Sequence, residues 1–464
     1  MRTLARIPVR PIGSLALAFE ARRRPVAMRV KLRVIPVMTV VLALVLTACV
    51  EADTTDTTEP APETTQAESP DTTEAESPDT TEAEQMEGPD EIVFGNPIAL
   101  SGPNNAGASL SQIPSYDLWA ADVNAAGGIF VAEYDRQIPV RIERVDDTSD
   151  IGTAVQLIQQ MIANEDIHFI LPPWGTAANF AIAQDISDAQ TPVLGCTVGH
   201  RDLVENSENF PYFYTVLNQA SDQGAALVEL LEELGVQTAG IIHHTDQFGL
   251  EFNEVVEPAL EAAGIEVVIK ETYSPNPEDL SQTLRAVQAA EPDAFLAFSY
   301  PGETFLMTGQ AMEIGFNPNL FMAAVGVAFP PYRDAFGEAA EGVIGTGAWN
   351  PTVDADDAQG YFDRHVEMHG VEPDRWASAA CYASGEILQQ AIEAAGTLDP
   401  IAVKEALDTT EFDTILGSFS FENQVNPVYP GQIGQWQDGE FEIVGYTDQR
   451  TADPIYPKAP WPEG

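Results

Sequence analysis

The chain has 464 residues, 72 Asp and Glu against 21 Lys and Arg, a net charge of -51 and an apolar share of 44%. So acidic a surface repels a phosphate backbone and anionic head groups, and no basic stripe interrupts it, which excludes nucleic acid as a partner. With 3 cysteines the chain is no disulfide-stapled miniature, and its length exceeds what one hydrophobic core usually serves.

The N-terminus is unlike everything after it. From Met28 the sequence reads MRVKLR, then the apolar run VIPVMTVVLALVL, then Leu46-Thr47-Ala48-Cys49, and it turns acidic at once. A charged stretch, a short apolar stretch and small residues before a cysteine have the form of a lipoprotein leader, with residues 1–48 removed and Cys49 lipidated. Residues 1–27 contain arginines but no apolar run, so the expected start is Met28. An uncleaved membrane anchor is the alternative, and both readings place the rest of the chain outside the cytoplasm.

Residues 49–90 are mostly Thr, Pro, Ala and acidic residues with few large apolar side chains, and SPDTTEAE occurs at 69–76 and again at 77–84. No core can form from such a composition, and the stretch is expected to be a disordered acidic linker, spanning roughly 35 Å as a flexible coil. Its charge does not account for the whole: 56 Asp and Glu against 12 Lys and Arg fall after residue 91.

From Glu91 short apolar strands alternate with amphipathic helices. IVFGNPIAL, PVRIERV and HFILP read as strands; SYDLWAADVNAAGG and TAVQLIQQMIAN read as helices between them. In the second of these helices Ala154, Leu157, Ile158 and Met161 recur at helical spacing and are expected to face the sheet. After residue 215 the rhythm resumes through the strands TAGIIHH, EVVIKETY and AFLAFSY, implying a second α/β unit. From about 348 YFDRHVEMHG, SAACYASGEILQQAIEAAG and AVKEALDTT read as helices, and GQWQDGEFEIVGY closes as strands.

Several local patterns have plain readings. Cys196 and Cys381 lie in dissimilar contexts and read as two buried free thiols. His365 and His369, four apart before Gly370, read as a solvated helix end, since the order H-E-x-x-H is absent; His243-His244 reads as a strand end. No G-x-S-x-G elbow, no G-x-x-x-x-G-K-[ST] loop and no paired cysteine spacing occurs, so no catalytic residue, metal or cofactor is assigned.

Seven segments together resemble the type I periplasmic binding proteins, specifically the branched-chain amino acid (Leu/Ile/Val) receptors of ABC importers. They are ALSGP (99–103), DVNAAGGI (122–129), Asp146-Asp147, FILPPWGTAAN (169–179), TPVLGCT (191–197), Gln247-Phe248-Gly249 and AGTLDPIAVKEAL (395–407). The resemblance implies an α/β fold of two doubly wound parallel-sheet lobes joined by a three-segment hinge. It places 91–215 with 348–412 in lobe 1 and 216–347 with 413–450 in lobe 2, leaves 451–464 as a tail, and puts the crossings near 215, 348 and 412.

It also implies a site. Trp174, Gly175 and Thr176 would present a ring, backbone N–H groups and a hydroxyl to a ligand carboxylate, Thr176 serving also as a helix N-cap. The loop of Thr197 and Gly199 follows, with Gly199 where a hydroxyl residue is usual and Thr197 or Arg201 as substitutes. Phe248 and Tyr300 would close over the ligand from the second lobe. Val325 stands where amino-acid binders place an acidic residue, and a buried unpaired ammonium costs several kcal/mol. An α-amino acid is therefore disfavoured unless Glu303 or Asp246 approaches; a carboxylate, amide or aromatic compound fits better. The expected function is that of a monomeric, extracytoplasmic lipoprotein, anchored through Cys49, that captures a small solute and delivers it to ABC permease and ATPase subunits. A ligand sensor of the same fold and an anchored hydrolase are the alternatives.

Overall fold

A computed structural model describes residues 87–347, 349–425, 433–445 and 449–462. The leader, Cys49 and the linker as far as residue 86 lie outside the described residues.

The first lobe is built on the strand Ile92–Ile98, whose seven residues are all buried. It pairs in parallel with Val140–Asp146 on one side and Phe169–Ile170 on the other, Phe94 lying opposite Ile142 and Phe169. A second parallel pair, Val193–Gly195 with Phe213–Thr215, continues the lobe. A strand buried along its whole length needs helices on both faces, and the sequence supplies them. In the helix Ile151–Ile162 the buried residues are Ala154, Ile158 and Met161, with Leu157 half-buried, so the expected stripe faces the sheet. Asp150 starts that helix by accepting from Thr153 N at 2.8 Å.

The second lobe holds a seven-stranded sheet in the order Glu440–Ile443, Ile433–Gln437, Ile344–Thr346, Leu320–Ala323, Ala294–Phe298, Thr238–His244, Glu266–Tyr273. The five strands from Ile344–Thr346 onward pair in parallel, and the two late strands join its edge antiparallel. Between these passages the chain returns to the first lobe. The helices Ala358–His369 and Ser378–Ala395 pack on Gln112–Ala125, where Asp122 accepts from Arg364 at 2.9 Å and from Tyr382 at 2.7 Å.

Three expectations need correction. Cys196 and Cys381 are not free thiols: they form a disulfide that joins the end of Val193–Gly195 to the helix Ser378–Ala395 across 185 residues. The last passage between lobes lies later than residue 412. The hairpin Phe412–Thr414 with Gly417–Phe419 stays with the first lobe, where Gln390 donates to Asp413 O at 2.8 Å and Thr215 bridges Val425. His365 is not solvated; it is 1% exposed and its Nδ1 lies 3.0 Å from Val371 O, while His369 Nε2 lies 3.0 Å from Pro114 O. Burial lowers the pKa of His365 to about 4. Among the described residues no group of three or more His, Cys, Asp or Glu could hold a metal ion, and no helix is long and apolar enough to cross a membrane.

Candidate ligand-binding cleft

Parallel strands leave their carboxyl ends on one side of a sheet, and the loops there are the usual ligand-binding region of open α/β folds. In the first lobe these ends deliver Ala99–Pro103, Asp147–Asp150, Trp174–Thr176 and Cys196–Gly199; in the second, Asp246–Gly249, Pro275-Asn276, Ser299-Tyr300 and Val325. The two sets face each other.

Trp174 is 1% exposed and fixed by its indole N–H, which donates to Ser111 Oγ at 3.1 Å. Its ring lies so close to Gly107 that a Cβ there would come within 2.1 Å of it. Gly175 follows with φ 93°, a left-handed conformation that favours glycine, and it is Gly175, not Thr176, that occupies the N-cap position of the helix Thr176–Asp188. Its N–H donates to Thr197 Oγ1 at 3.1 Å. The expected cap role of Thr176 is thus displaced by one residue, and its backbone N–H instead donates across the cleft to the Tyr300 hydroxyl at 3.3 Å.

Tyr300 is the hub of the aromatic contacts. Its ring stacks on Phe248 with centroids 5.0 Å apart and planes at 13°, and meets Trp174 edge-on at 4.9 Å. Burial holds its hydroxyl pKa well above the usual range. Glu303 reaches back to the Tyr300 backbone N–H at 2.9 Å and accepts from Tyr273 and Asn276, both at 3.3 Å, so it is a scaffold for this loop.

Three cavities border Tyr300. One of about 160 Å³ lies between the lobes, walled by Trp174, Gly175, Asp147, Asp246 and Asn276 among others. A wider recess of about 510 Å³ opens beyond it, past Asp246, Asn276, Glu278 and Glu303. A third, about 10 Å³, is enclosed by Thr176, Thr197, Gly199, Gln223, Phe248 and Trp376. No Lys or Arg lines any of the three. The smallest has room for about one water molecule. Gln223 gives it a polar wall: its Nε2 donates to Asn218 O and Oδ1, each at 3.0 Å, which turns Oε1 the other way without a partner among the described residues.

Seven of the eight residues expected at the site therefore gather here: Trp174 and Gly175 on the cavity of about 160 Å³, Thr176, Thr197, Gly199 and Phe248 on the smallest, and Tyr300 on all three. Val325 lines none of them. It is fully buried, its N–H donating to Ser299 O and its carbonyl accepting from Thr304 at 2.7 Å. Gly199 has little space for the missing hydroxyl, since a Cβ would sit 3.2 Å from Asn218 O and 3.3 Å from Ala220 N. Arg201 lies at the cleft edge, where its N–H donates to Glu251 Oε1 at 3.0 Å and its guanidinium pairs with Glu254 at 3.2 Å. Sequence reasoning missed Trp376, Gln223 and Asn276. Asp147 entered only as part of the Asp146-Asp147 segment of the resemblance and without a site role, although a doubled Asp after a strand was the available clue.

The sequence profile of a family described as "Periplasmic binding protein" matches residues 91–440. A Leu/Ile/Val-binding protein homolog 7 of Brucella abortus (strain 2308) is 24% identical over 371 residues, covering 76% of this chain and 89% of its own. Among solved structures, the branched-chain amino acid transporter substrate binding protein LivJ from Streptococcus pneumoniae, in complex with isoleucine, superposes with a TM-score of 0.67 at 18% identity, covering 77% of this chain and 100% of that one. A solute binding protein of an ABC transporter from R. palustris, in complex with benzoate, does so with a TM-score of 0.69 at 17% identity, covering 78% and 98%.

Proposed function

Because the chain belongs to the periplasmic binding protein family, matched over residues 91–440, we propose that it is the extracytoplasmic receptor of an ABC importer. It captures one small solute between its lobes and hands it to membrane permease subunits, without making or breaking a covalent bond. The observation that carries this reading is the cavity of about 160 Å³ at Tyr300, because each lobe supplies part of its wall and neither alone would enclose it. Small-molecule sites are concave, aromatic-lined and furnished with a few convergent polar groups, and this one fits that description.

The mechanism is closure. The chain's passages between the lobes, near 215–219 and near 346–347 among the described residues, act as a hinge, and the solute adds contacts to the closed state only. The relatives solved with isoleucine and with benzoate set the size of solute to try, a compact amino-acid-like, carboxylate, amide or aromatic compound. Lipidation of Cys49 would hold the monomer at the membrane, with the acidic stretch to residue 90 as its tether.

A thermal-shift screen of the purified whole chain tests this, with calorimetry on each hit. A true solute at a hundredfold excess over its Kd stabilises by about 2.7 kcal/mol. A panel of amino acids, aromatic carboxylates, amides and amines that leaves the melting curve unmoved throughout would sink the proposal.

A further inference from the structure

The cavity between the lobes has an uncompensated charge on its wall. Asp147, Asp150 and Asp246 line it beside Asn276, Trp174 and Tyr300, and no cationic side chain does. General acidity of the chain explains carboxylates on an open surface, where water solvates them, but not one withdrawn from water. Asp147 is only 3% exposed, and Ser149 N, donating to Oδ1 at 2.7 Å, is the one hydrogen-bond partner of its carboxylate among the described residues. Its second oxygen accepts no hydrogen bond among the described residues. Burial, with Asp146 and Asp150 close by, pushes its pKa up to about 6, as a carboxylate without a counter-ion requires. Asp246, half-buried, offers a second oxygen: Oδ1 accepts from Phe248 and Gly249 N–H and lies 3.0 Å from His244 Nδ1, while Oδ2 accepts no hydrogen bond among the described residues.

Two carboxylates, one from each lobe, thus face a space of organic size walled by aromatic rings. A buried carboxylate is stable when a cation pairs with it, and the faces of Trp and Tyr attract the same cation. We infer that the solute carries a positively charged amine, received by Asp147 and Asp246 beside the rings of Trp174 and Tyr300. This rests on the solute-capture reading above and narrows its substrate class from carboxylates to organic ammonium compounds. A cation that bridges Asp147 of the first lobe to Asp246 of the second also draws the lobes together.

Calorimetry on the whole chain with 2-phenylethylammonium, butylammonium and choline, set against 2-phenylethanol, phenylacetate, benzoate and isoleucine, tests the charge. An ammonium compound is expected to bind at least tenfold tighter than its neutral or anionic counterpart. Asp147→Asn and Asp246→Asn keep the Oδ1 acceptor that holds each loop, so the fold is retained; each should weaken the ammonium about 10- to 100-fold and leave 2-phenylethanol within about twofold. The melting curve of each variant checks that it is folded. Benzoate, phenylacetate or isoleucine binding as tightly as the best ammonium, or Asp147→Asn leaving ammonium affinity unchanged, overturns the inference while solute capture stands. Silence across both arms overturns solute capture and the inference together.

Discussion

His365 shows how burial alone changes what a residue does. Its ring is 1% exposed, Nδ1 is held by Val371 O at 3.0 Å, and Nε2 has no partner, so the charged form is disfavoured and the pKa falls to about 4. A base depressed below its unfolded value contributes stability that is present above about pH 6.5 and lost as pH falls toward 4. His365→Phe should therefore unfold with a shallower dependence on pH between 6.5 and 4 than the parent, at a cost of about 1 kcal/mol at pH 7 from the lost hydrogen bond. Equal slopes in urea melts across that range would show that His365 does not titrate on unfolding. Gly107 makes the complementary point about space. Since a Cβ there would reach within 2.1 Å of Trp174, Gly107→Ala must push the indole out of place. Overpacking of this kind costs about 1–3 kcal/mol, and the displaced ring should also weaken solute binding at least tenfold; calorimetry and melting curves on the one variant read both.

At the scale of elements, most of the architecture was legible because strands and helices here carry their own periodicity. Ile92–Ile98 and Thr238–His244 are apolar runs between helix patterns, and the stripe through Ala154, Ile158 and Met161 points at the sheet. What was not legible depends on contacts between distant segments. Nothing near Cys196 announces a partner 185 residues away, and nothing in the sequence at 412–419 states which lobe the hairpin there joins. The same limit applies to Trp376, whose ring reaches Trp174 at 6.0 Å only because the chain returns to the first lobe. Thr176 misled by one residue, because a glycine with positive φ can occupy a cap position that composition assigns to Thr. The disulfide has a measurable role. It immediately precedes Thr197, whose hydroxyl accepts from Gly175 N, so it anchors the loop that sets the first-lobe wall. Cys196→Ser with Cys381→Ser should lower stability by about 2–4 kcal/mol. It should weaken solute binding as well, whereas a bond of purely global effect would change the melting temperature and leave Kd at low temperature unmoved.

On the scale of the whole molecule the question is what keeps the lobes together. Among the described residues the polar contacts across the cleft edge include Thr176 N to Tyr300, Arg201 N to Glu251 at 3.0 Å, Arg201 to Glu254 at 3.2 Å, and His200 to Gln247, beside the ring contact of Trp174 with Tyr300. Arg201 and Glu254 are exposed, so their pair contributes little and less at high salt. Glu251 differs, being 4% exposed, with Oε2 3.9 Å from His200 Nε2 and Oε1 accepting from Arg201 N. Removing it leaves the part-buried Arg201 N–H without this partner in the closed form alone, since opening the cleft returns that group to water; the penalty, about 1 kcal/mol, falls on closure and not on folding. Glu251→Ala should accordingly lower the population of closed molecules and raise the apparent Kd in proportion to the fraction lost. Small-angle scattering of the ligand-free variant should show a larger radius of gyration than the parent, and saturating solute should restore the parent's value, because solute binding and the latch act on the same equilibrium. A variant that keeps the parent's radius of gyration and Kd would mean that Glu251 takes no part in the closure, and that the remaining contacts, the rings of Tyr300 and Trp174 among them, hold the lobes.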